Sequence, residues 1–317
     1  MQDKNVLITG GCGFIGSELS RQLAAVSALV TVADNLTTGK RENLAEVADR
    51  IEFIEGDIRD PKALERAVRG VECVFHLAAL PSVQRSVEFP LDSEAVNAMG
   101  TLQVLEAAKA EGVRRVIYSS SSSVYGDTAT LPKHEEQPPN PLSPYALSKL
   151  SGEWYCRIYY DLHGLETVAL RYFNVFGPRQ DPGSDYAAVI PRFIHAHLGG
   201  RRPMVFGDGE QTRDFTFVSN AVDANLRAAA AEKAPGRTFN VACGTRTSLN
   251  ELLALLREIT GSSVETDYGP ARPGDIRDSQ ADISLAREIL GYEPAVGLTN
   301  GLRITVEWFQ QSASSLS

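Results

Sequence analysis

Tyr145 and Lys149 stand four residues apart in Ser143-Pro144-Tyr145-Ala146-Leu147-Ser148-Lys149. On a helix this spacing puts the phenol and the ammonium on one face, one turn from each other. Ser143 suits the cap of such a helix and Pro144 its first turn. A cation beside a phenol favours phenolate, so Tyr145 is expected to titrate below the usual value of about 10 and to act as a general base or acid. Just upstream, Val116-Ile117-Tyr118 reads as a buried strand that runs into five consecutive serines, Ser119 to Ser123, and then Val124-Tyr125-Gly126.

The elements that must position this pair begin at the N-terminus. Val6-Leu7-Ile8-Thr9 reads as a buried strand opening on Gly10-Gly11-Cys12-Gly13-Phe14-Ile15-Gly16, with a helical pattern behind it through Leu19 and Leu23. Strand, glycine turn and helix together let backbone N–H groups and a helix N-terminus approach a pyrophosphate, with Gly10, Gly13 and Gly16 at the close approaches. A second strand, Leu29-Val30-Thr31-Val32, ends at Asp34, whose carboxylate can accept from both ribose hydroxyls and would repel a 2′-phosphate. The cofactor expected is therefore NAD rather than NADP. Lys40 and Arg41, just beyond, are the two cations that could argue otherwise.

The alternation continues through Ile51-Glu52-Phe53-Ile54, a helix opening at Pro61, and Val71 to His76, which implies a parallel doubly wound α/β sheet. Asp57, past a strand end, either meets the ligand or caps a helix. His76-Leu77-Ala78-Ala79 closes the fourth strand with small residues that would let a dinucleotide lie against the backbone. Asp92 is expected to cap a long helix reaching about Glu111, in which Asn97 makes either a helix-to-strand hydrogen bond or a cofactor contact.

Composition narrows the function classes. The chain has 317 residues and a formal net charge of −9, with no basic footprint for nucleic acid or an anionic membrane. The N-terminus reads as neither a signal peptide nor a membrane span, so a cytoplasmic location is expected. Cys12, Cys73, Cys156 and Cys243 are scattered without metal spacing, and His195 and His197 would point to different sides of a helix, so no metal is expected.

Beyond the helix expected to end near His163 and the strand from Glu166 to Arg171, the texture changes. Tyr172 to Gly183 is a long segment of aromatic and turn residues, of the kind that is usually functional. Gly207-Asp208-Gly209 reads as a hairpin-type turn. Residues 1–172 are expected to form the dinucleotide domain, with 217–242 returning to it, and 173–216 with 243–317 a smaller substrate domain.

These motifs, with Arg171-Tyr172-Phe173-Asn174, Arg213-Asp214-Phe215 and Arg272-Pro273-Gly274-Asp275, stand in an order that resembles the extended short-chain dehydrogenase/reductases, and within them the UDP-hexose 4-epimerases. The resemblance covers nearly the whole chain and implies a Rossmann domain with a small C-terminal substrate domain. It implies cofactor contacts from Phe14, Ile15, Asn35, Ile58, Leu77, Ala78, Ala79, Ser119 and Tyr172, besides the glycines, Asp34, Asp57, Asn97, Tyr145 and Lys149. Ser121 aligns with the family's catalytic hydroxyl. Ser122 and Ser123 follow it, where related dehydratases carry acids and decarboxylases a glutamate; without them elimination lacks its proton carriers.

The implied reaction is epimerisation. Tyr145 takes the proton from the sugar O4 while Ser121 hydrogen-bonds that oxygen, and a hydride passes from C4 to NAD⁺. The 4-keto sugar then turns over, and the hydride returns to its other face. Arg213 and Arg272 suit the diphosphate, Asp275 a ribose hydroxyl, Asn174 the phosphate or sugar, and Phe206 the uracil. Val189 and Val205 line the same pocket, as does Ser122. Ser279 stands where members restricted to glucose and galactose carry a bulky aromatic, and Ala188 where they often have asparagine. Ser82, Asn174 and Gln180 match members that accept N-acetylated sugars, whereas Pro81 replaces their glycine. UDP-GlcNAc and UDP-GalNAc are therefore expected substrates, with UDP-Glc and UDP-Gal also accepted.

The alternatives are a UDP-uronate epimerase, a net NAD-dependent oxidoreductase, and a dinucleotide-sensing protein without catalysis, the last of which should have lost Tyr145 or Lys149. The resemblance also implies a homodimer through the helices near Asp92 to Glu111 and Pro144 to His163. Leu150, Trp154 and Ile158 form a stripe on the second of these, turned away from Tyr145 and Lys149.

Overall fold

A computed structural model describes residues 4–26, 28–183, 188–271 and 276–314. The first half alternates as its apolar runs require. It comprises β1 (Asn5–Thr9), α1 (Phe14–Ala25), β2 (Leu29–Asp34), a 3₁₀ segment (Arg41–Arg50), β3 (Ile51–Glu55), α2 (Pro61–Val68) and β4 (Cys73–His76). Then come α3 (Val83–Glu88), α4 (Pro90–Glu94), a π turn (Ala95–Met99), α5 (Gly100–Ala110), β5 (Arg115–Ser121), a 3₁₀ turn (Ser122–Tyr125), α6 (Pro144–His163) and β6 (Glu166–Tyr172). The second half has short strands, β7 (Val175–Phe176), β8 (Met204–Phe206), β9 (Thr212–Arg213) and β10 (Thr216–Phe217), with α7 (Val189–Leu198) inserted after β7. It continues with α8 (Val218–Ala230), β11 (Arg237–Val241), β12 (Thr247–Ser248), α9 (Leu249–Thr260), β13 (Asp267–Gly269), α10 (Ser284–Leu290) and α11 (Leu298–Ser314).

Seven strands join in one sheet in the order β11-β6-β5-β4-β1-β2-β3, and every pairing in it is parallel. Both faces are covered, so the inner strands β1, β4 and β5 are mostly apolar on both sides, while the edge strand β3 keeps Glu52 and Glu55. Ile8 belongs to the core under α1 and α8, while its neighbour Leu7 packs on the other face with Val104 and Leu105 of α5. The sheet is the doubly wound, Rossmann-like fold expected. Its parallel direction brings the glycine turn, Asp34, Leu77 to Ala79, the serine run and Tyr172 to one edge, where such sheets bind ligands. A third core, with Ile190, Phe193 and Ile194 of α7, Leu252 and Leu253 of α9 and Leu302 of α11, packs the second half.

Several local expectations change. The long helix begins at Pro90 rather than being capped by Asp92, and α3 precedes it, capped by Ser82. Asp60, not Asp57, caps α2 by accepting from Lys62 N at 3.0 Å. Gly207 and Gly209 both have positive φ, but the strands they separate do not form a hairpin: β8 pairs with β13 and β9 with β12. Leu150 packs against the core and leaves the stripe, whose exposed members on α6 are Leu147, Trp154, Ile158 and Leu162.

Candidate active site

Ser143 caps α6 by accepting from Ala146 N at 3.1 Å, and Pro144 occupies the first turn, so Tyr145 and Lys149 face the end of β5 as the spacing requires. Close approach of helix and strand is possible because residue 152 is glycine; a Cβ there would lie 2.2 Å from the Tyr118 hydroxyl. Lys149 is buried, and its Nζ donates to the Ser119 carbonyl at 2.9 Å. The Tyr145 N–H donates to Ser86 Oγ at 3.0 Å, which fixes the start of the helix to α3. Ser86 was not legible in the sequence, since nothing in its spacing links it to Tyr145.

The serine run supplies oriented hydroxyls. Ser121 Oγ accepts from both Ser123 N at 3.2 Å and Ser123 Oγ at 2.9 Å. With its acceptor side engaged, Ser121 has its own O–H to give. Ser123 is thus a second residue the motif reading missed. Ser119 Oγ lies 3.2 Å from the Tyr172 hydroxyl, which accepts from Asn225 Nδ2 at 2.7 Å.

The electrostatics correct one expectation. Burial pushes the Tyr145 phenol above its ordinary value, opposed by a hydrogen bond with Ser121, and burial pulls the Lys149 ammonium down to about 8. The lowering of Tyr145 by Lys149 is not found. Both groups are desolvated together, and the ammonium is directed to a carbonyl.

Asn97, in the π turn, accepts from Leu80 N at 2.8 Å and donates to Leu80 O and Ser148 Oγ at 3.2 and 3.1 Å. Of its two expected roles, it makes the structural bonds. Ser148 in turn donates to Tyr145 O at 2.9 Å.

The residues that would hold NAD fit it. Gly10 has φ +72°, and a Cβ on it would lie 2.7 Å from the backbone of Ala78. A Cβ on Gly13 would approach only Gly10 O, at 3.2 Å, so the turn is open there. Gly13 caps α1 without a side-chain bond and no acid stands in the first turn, which leaves the N–H groups at Phe14 and Ile15 to a phosphate. Gly16 is buried against that turn, where a Cβ would lie 2.2 Å from Gly10 O.

Asp34, at the end of β2, accepts from Cys12 N at 2.9 Å and Leu36 N at 2.8 Å, one on each oxygen, and burial pushes its pKa up. Each oxygen keeps a lone pair for a ribose hydroxyl. The two cations nearby are directed elsewhere: Lys40 pairs with Asp181 at 3.0 Å and Arg41 stacks 4.5 Å above the Phe53 ring. Asp57 accepts from Arg59 in a fork and from Asn35 Nδ2 at 2.8 Å, and the Arg59 bonds hold its carboxyl well below the usual range. Ile58 is buried beside Gly100.

The residues expected to meet the substrate stand on short pieces. Arg213, half-buried on β9, donates to Thr212 O at 2.8 Å and Arg277 O at 3.2 Å. Its neighbour Asp214 is fully buried and accepts from Cys243, Gly244 and Ala281 N–H groups, with burial pushing its pKa up to about 7. Ser279 is buried and donates its N–H to Thr212 O at 3.2 Å, so Asp214 and Thr212 bring Arg213 and Ser279 to one place.

Asn174 has φ +35° and donates to Asp214 O at 3.3 Å. Gln180 donates to Val175 O at 3.2 Å. Ala188 precedes α7 and is exposed, whereas Val189 and Phe206 are half-buried. Val205 is packed into the third core, so its side chain does not line an open pocket as expected. Ser82 caps α3, accepting from Arg85 N at 3.1 Å, and Ser122 is half-buried in the turn after β5. Arg272 and Asp275 lie outside the described residues.

A family model described as the NAD dependent epimerase/dehydratase family matches residues 6–242. This chain belongs to that family. A UDP-glucose 4-epimerase of Mycolicibacterium smegmatis is 42% identical over 311 residues, covering 97% of this chain and 99% of the relative. Among solved structures, a UDP-N-acetylglucosamine 4-epimerase from Methanobrevibacter ruminantium, in complex with UDP-N-acetylmuramic acid, superposes with a TM-score of 0.95 at 42% identity, covering 98% of this chain and all of that one. A UDP-glucose 4-epimerase from Thermotoga maritima with UDP-glucose gives 0.93 at 42%, covering 98% and 99%. Chains of the family are enzymes that work with NAD, and so is this one.

Proposed function

We propose that this enzyme interconverts UDP-N-acetylglucosamine and UDP-N-acetylgalactosamine, and that it also accepts UDP-glucose and UDP-galactose. The broader activity, NAD-dependent 4-epimerisation of UDP-sugars, is shared with its relatives. The observation that carries the reaction type is that, among the described residues, the groups placed to handle the proton are hydroxyls and an amine. Ser122 and Ser123 follow Ser121, and the buried carboxylate one turn from Lys149, Glu153, is taken by Arg171 in a fork at 2.7 and 2.9 Å and by Ser120. Among the described residues beside Ser121 and Lys149, no acid is left over for elimination or decarboxylation.

When bound, NAD⁺ supplies a hydride acceptor that gives the hydride back, and its oxidised ring adds a positive charge that favours phenolate. Tyr145 takes and later returns the proton at O4. Ser121, with its acceptor side engaged by Ser123, donates to that oxygen. Lys149 holds the end of β5 through the Ser119 carbonyl and keeps a cation one helical turn from the phenol. Turning the 4-keto sugar requires a tight grip on UDP and a loose one on the sugar, which fits Arg213 and Phe206 on short strands around the uridine diphosphate.

The N-acetyl reading rests on Ser279, a small buried residue next to Thr212 and Arg213, and on Ala188, whose methyl leaves the start of α7 uncrowded. It is tested by incubating the purified protein with UDP-GlcNAc, UDP-Glc and UDP-glucuronate without added NAD⁺ and following the C4 epimers by NMR. Epimerisation of UDP-Glc alone would remove the N-acetyl reading.

Residues 1–172 and 217–242 serve the dinucleotide and 173–216 and 243–317 the sugar nucleotide in this reading, supported by β11 in the main sheet and by the third core. A homodimer is proposed through α4 and α6, supported by exposed Leu91, Leu147, Trp154 and Leu162, of which Leu91 is 83% accessible. Light scattering should give twice the chain mass at micromolar concentration, and a monomer would end that proposal. No helix among the described residues is long and apolar enough to cross a membrane, and a cytoplasmic site of action is proposed with it.

A further inference from the structure

The loop after β7 makes three charged contacts, two from Arg179 and one from Asp181, with the dinucleotide side of the molecule. Arg179, 12% accessible, places one guanidinium nitrogen 3.4 Å from Glu18 of α1 and the other 3.4 Å from Glu46 of the 3₁₀ segment. Asp181 lies 3.0 Å from the Lys40 ammonium. Arg21 completes the cluster at 3.4 Å from Glu18 and 3.3 Å from Glu46.

These partners belong to one region. Glu18 is on the helix that the glycine turn opens, and Lys40 and Glu46 belong to the segment that wraps Asp34. There Lys40 N and Asn43 Nδ2 both donate to Cys12 O, at 3.0 and 2.9 Å, while Cys12 N donates to Asp34. Arg179 has φ +69°, which a non-glycine residue adopts only when its surroundings hold it there. Between the two charges stands Gln180, whose Oε1 is buried and has no hydrogen-bond partner among the described residues.

We propose that Arg179 and Asp181 are positioning residues, forming an ionic strap that fastens the Gln180 loop to the segment around Asp34 and so slows release of the dinucleotide. The purpose rests on the proposed function: an enzyme that must return the same hydride loses the reaction if its reduced cofactor leaves with the 4-keto sugar unfinished. The strap itself is testable without turnover. Because Lys40 and Asp181 are half-exposed, salt screens their contact, and the Arg179 contact less so.

The test is the release rate of NAD from the loaded protein, read by timed gel filtration at low salt and at about 1 M NaCl, where screening acts within about 3 Å. Asp181→Asn and Arg179→Met should each speed release about three- to fivefold at low salt, the upper part of the range for a partly exposed ion pair. The exchange Lys40→Asp with Asp181→Lys should restore wild-type release to within about twofold, because the attraction survives reversal of both signs. Release of Asp181→Asn as slow as wild type, or an exchange variant as fast as the single ones, overturns the strap. Should Arg179→Met not fold, the Lys40 and Asp181 cycle decides alone. A protein that follows this pattern yet epimerises no UDP-sugar would refute the proposed function and leave the strap standing.

Discussion

The two sides of the active site are built differently. On the dinucleotide side, the reacting groups sit at the ends of long elements that share a buried network: β5, β6 and α6 are joined through Ser120, Arg171 and Glu153, and Ser120 lies opposite Arg171 in the strand register. On the sugar side, Arg213 is held on a two-residue strand by carbonyl groups, and Asp214 fixes that strand through three backbone N–H groups. The first construction sets distances between groups that move a proton. The second presents side chains whose size can change without disturbing the sheet. On the proposed function, chemistry and specificity are thereby separable, and substitutions should affect one without the other.

The largest expected effect is on the first side. Tyr145→Phe removes one hydroxyl and leaves the backbone bonds of residue 145 to Ser86 and Ser148 intact, so fold and NAD binding should persist while turnover falls about 10²- to 10⁴-fold. Steady-state kinetics beside NAD retention checks this. A variant that keeps more than about a third of the wild-type rate would take Tyr145 out of the proton transfer.

The same contrast explains what could be read from the sequence. The sheet, the glycine turn, the cap at Ser143 and the Tyr145–Lys149 face depend on local spacing, and local spacing is visible in one chain. Ser86, Ser123 and Asn97 act through hydrogen bonds that spacing alone does not encode, and the direction of the Tyr145 shift depends on burial by several elements at once. On the sugar side the short strands gave no periodic signal. A turn at Gly207 to Gly209 was recognisable from its glycines, but Arg213 of β9 pairs with Thr247 and Met204 of β8 with Asp267, partners far away in sequence. Leu150 looked like part of a surface stripe because four-residue spacing does not say which side of α6 meets the core.

An intermediate effect is expected from Ser279→Tyr. The position is buried beside Thr212, and on the proposed function a phenol there would crowd the sugar while leaving Tyr145, Lys149 and Ser121 untouched. Discrimination by one such group amounts to about 1–3 kcal/mol, so kcat/KM for UDP-GalNAc relative to UDP-Gal should fall about 10- to 200-fold. Because the ratio is taken on one preparation, a loss of folded protein does not imitate it. Equal loss on both substrates would show that Ser279 does not read the C2 substituent.

The smallest effect, and the one that tests whether the dinucleotide side behaves as a unit, is on pH dependence. Lys149 has its pKa pulled from 10.5 to about 8 by burial, so its ammonium is lost over a range where an ordinary lysine keeps its charge. If that ammonium holds the Ser119 carbonyl and supports the phenolate, activity should decline above pH about 8, approaching tenfold per pH unit, with the limb displaced downward from 10.5. Stability should move the other way. A lysine whose folded pKa is depressed contributes stability that is complete above its unfolded pKa and lost as pH falls through the folded one. Relative to Lys149→Met, which does not titrate, the wild type should therefore gain stability as pH rises from about 8 toward 10.5, the interval in which it loses activity. Denaturant unfolding of the two proteins across that interval, beside pH–rate profiles of the wild type, distinguishes a buried amine that must be charged to work from one that merely fills the space behind Tyr145. Parallel decline of stability and activity would assign the limb to unfolding and remove Lys149 as its cause.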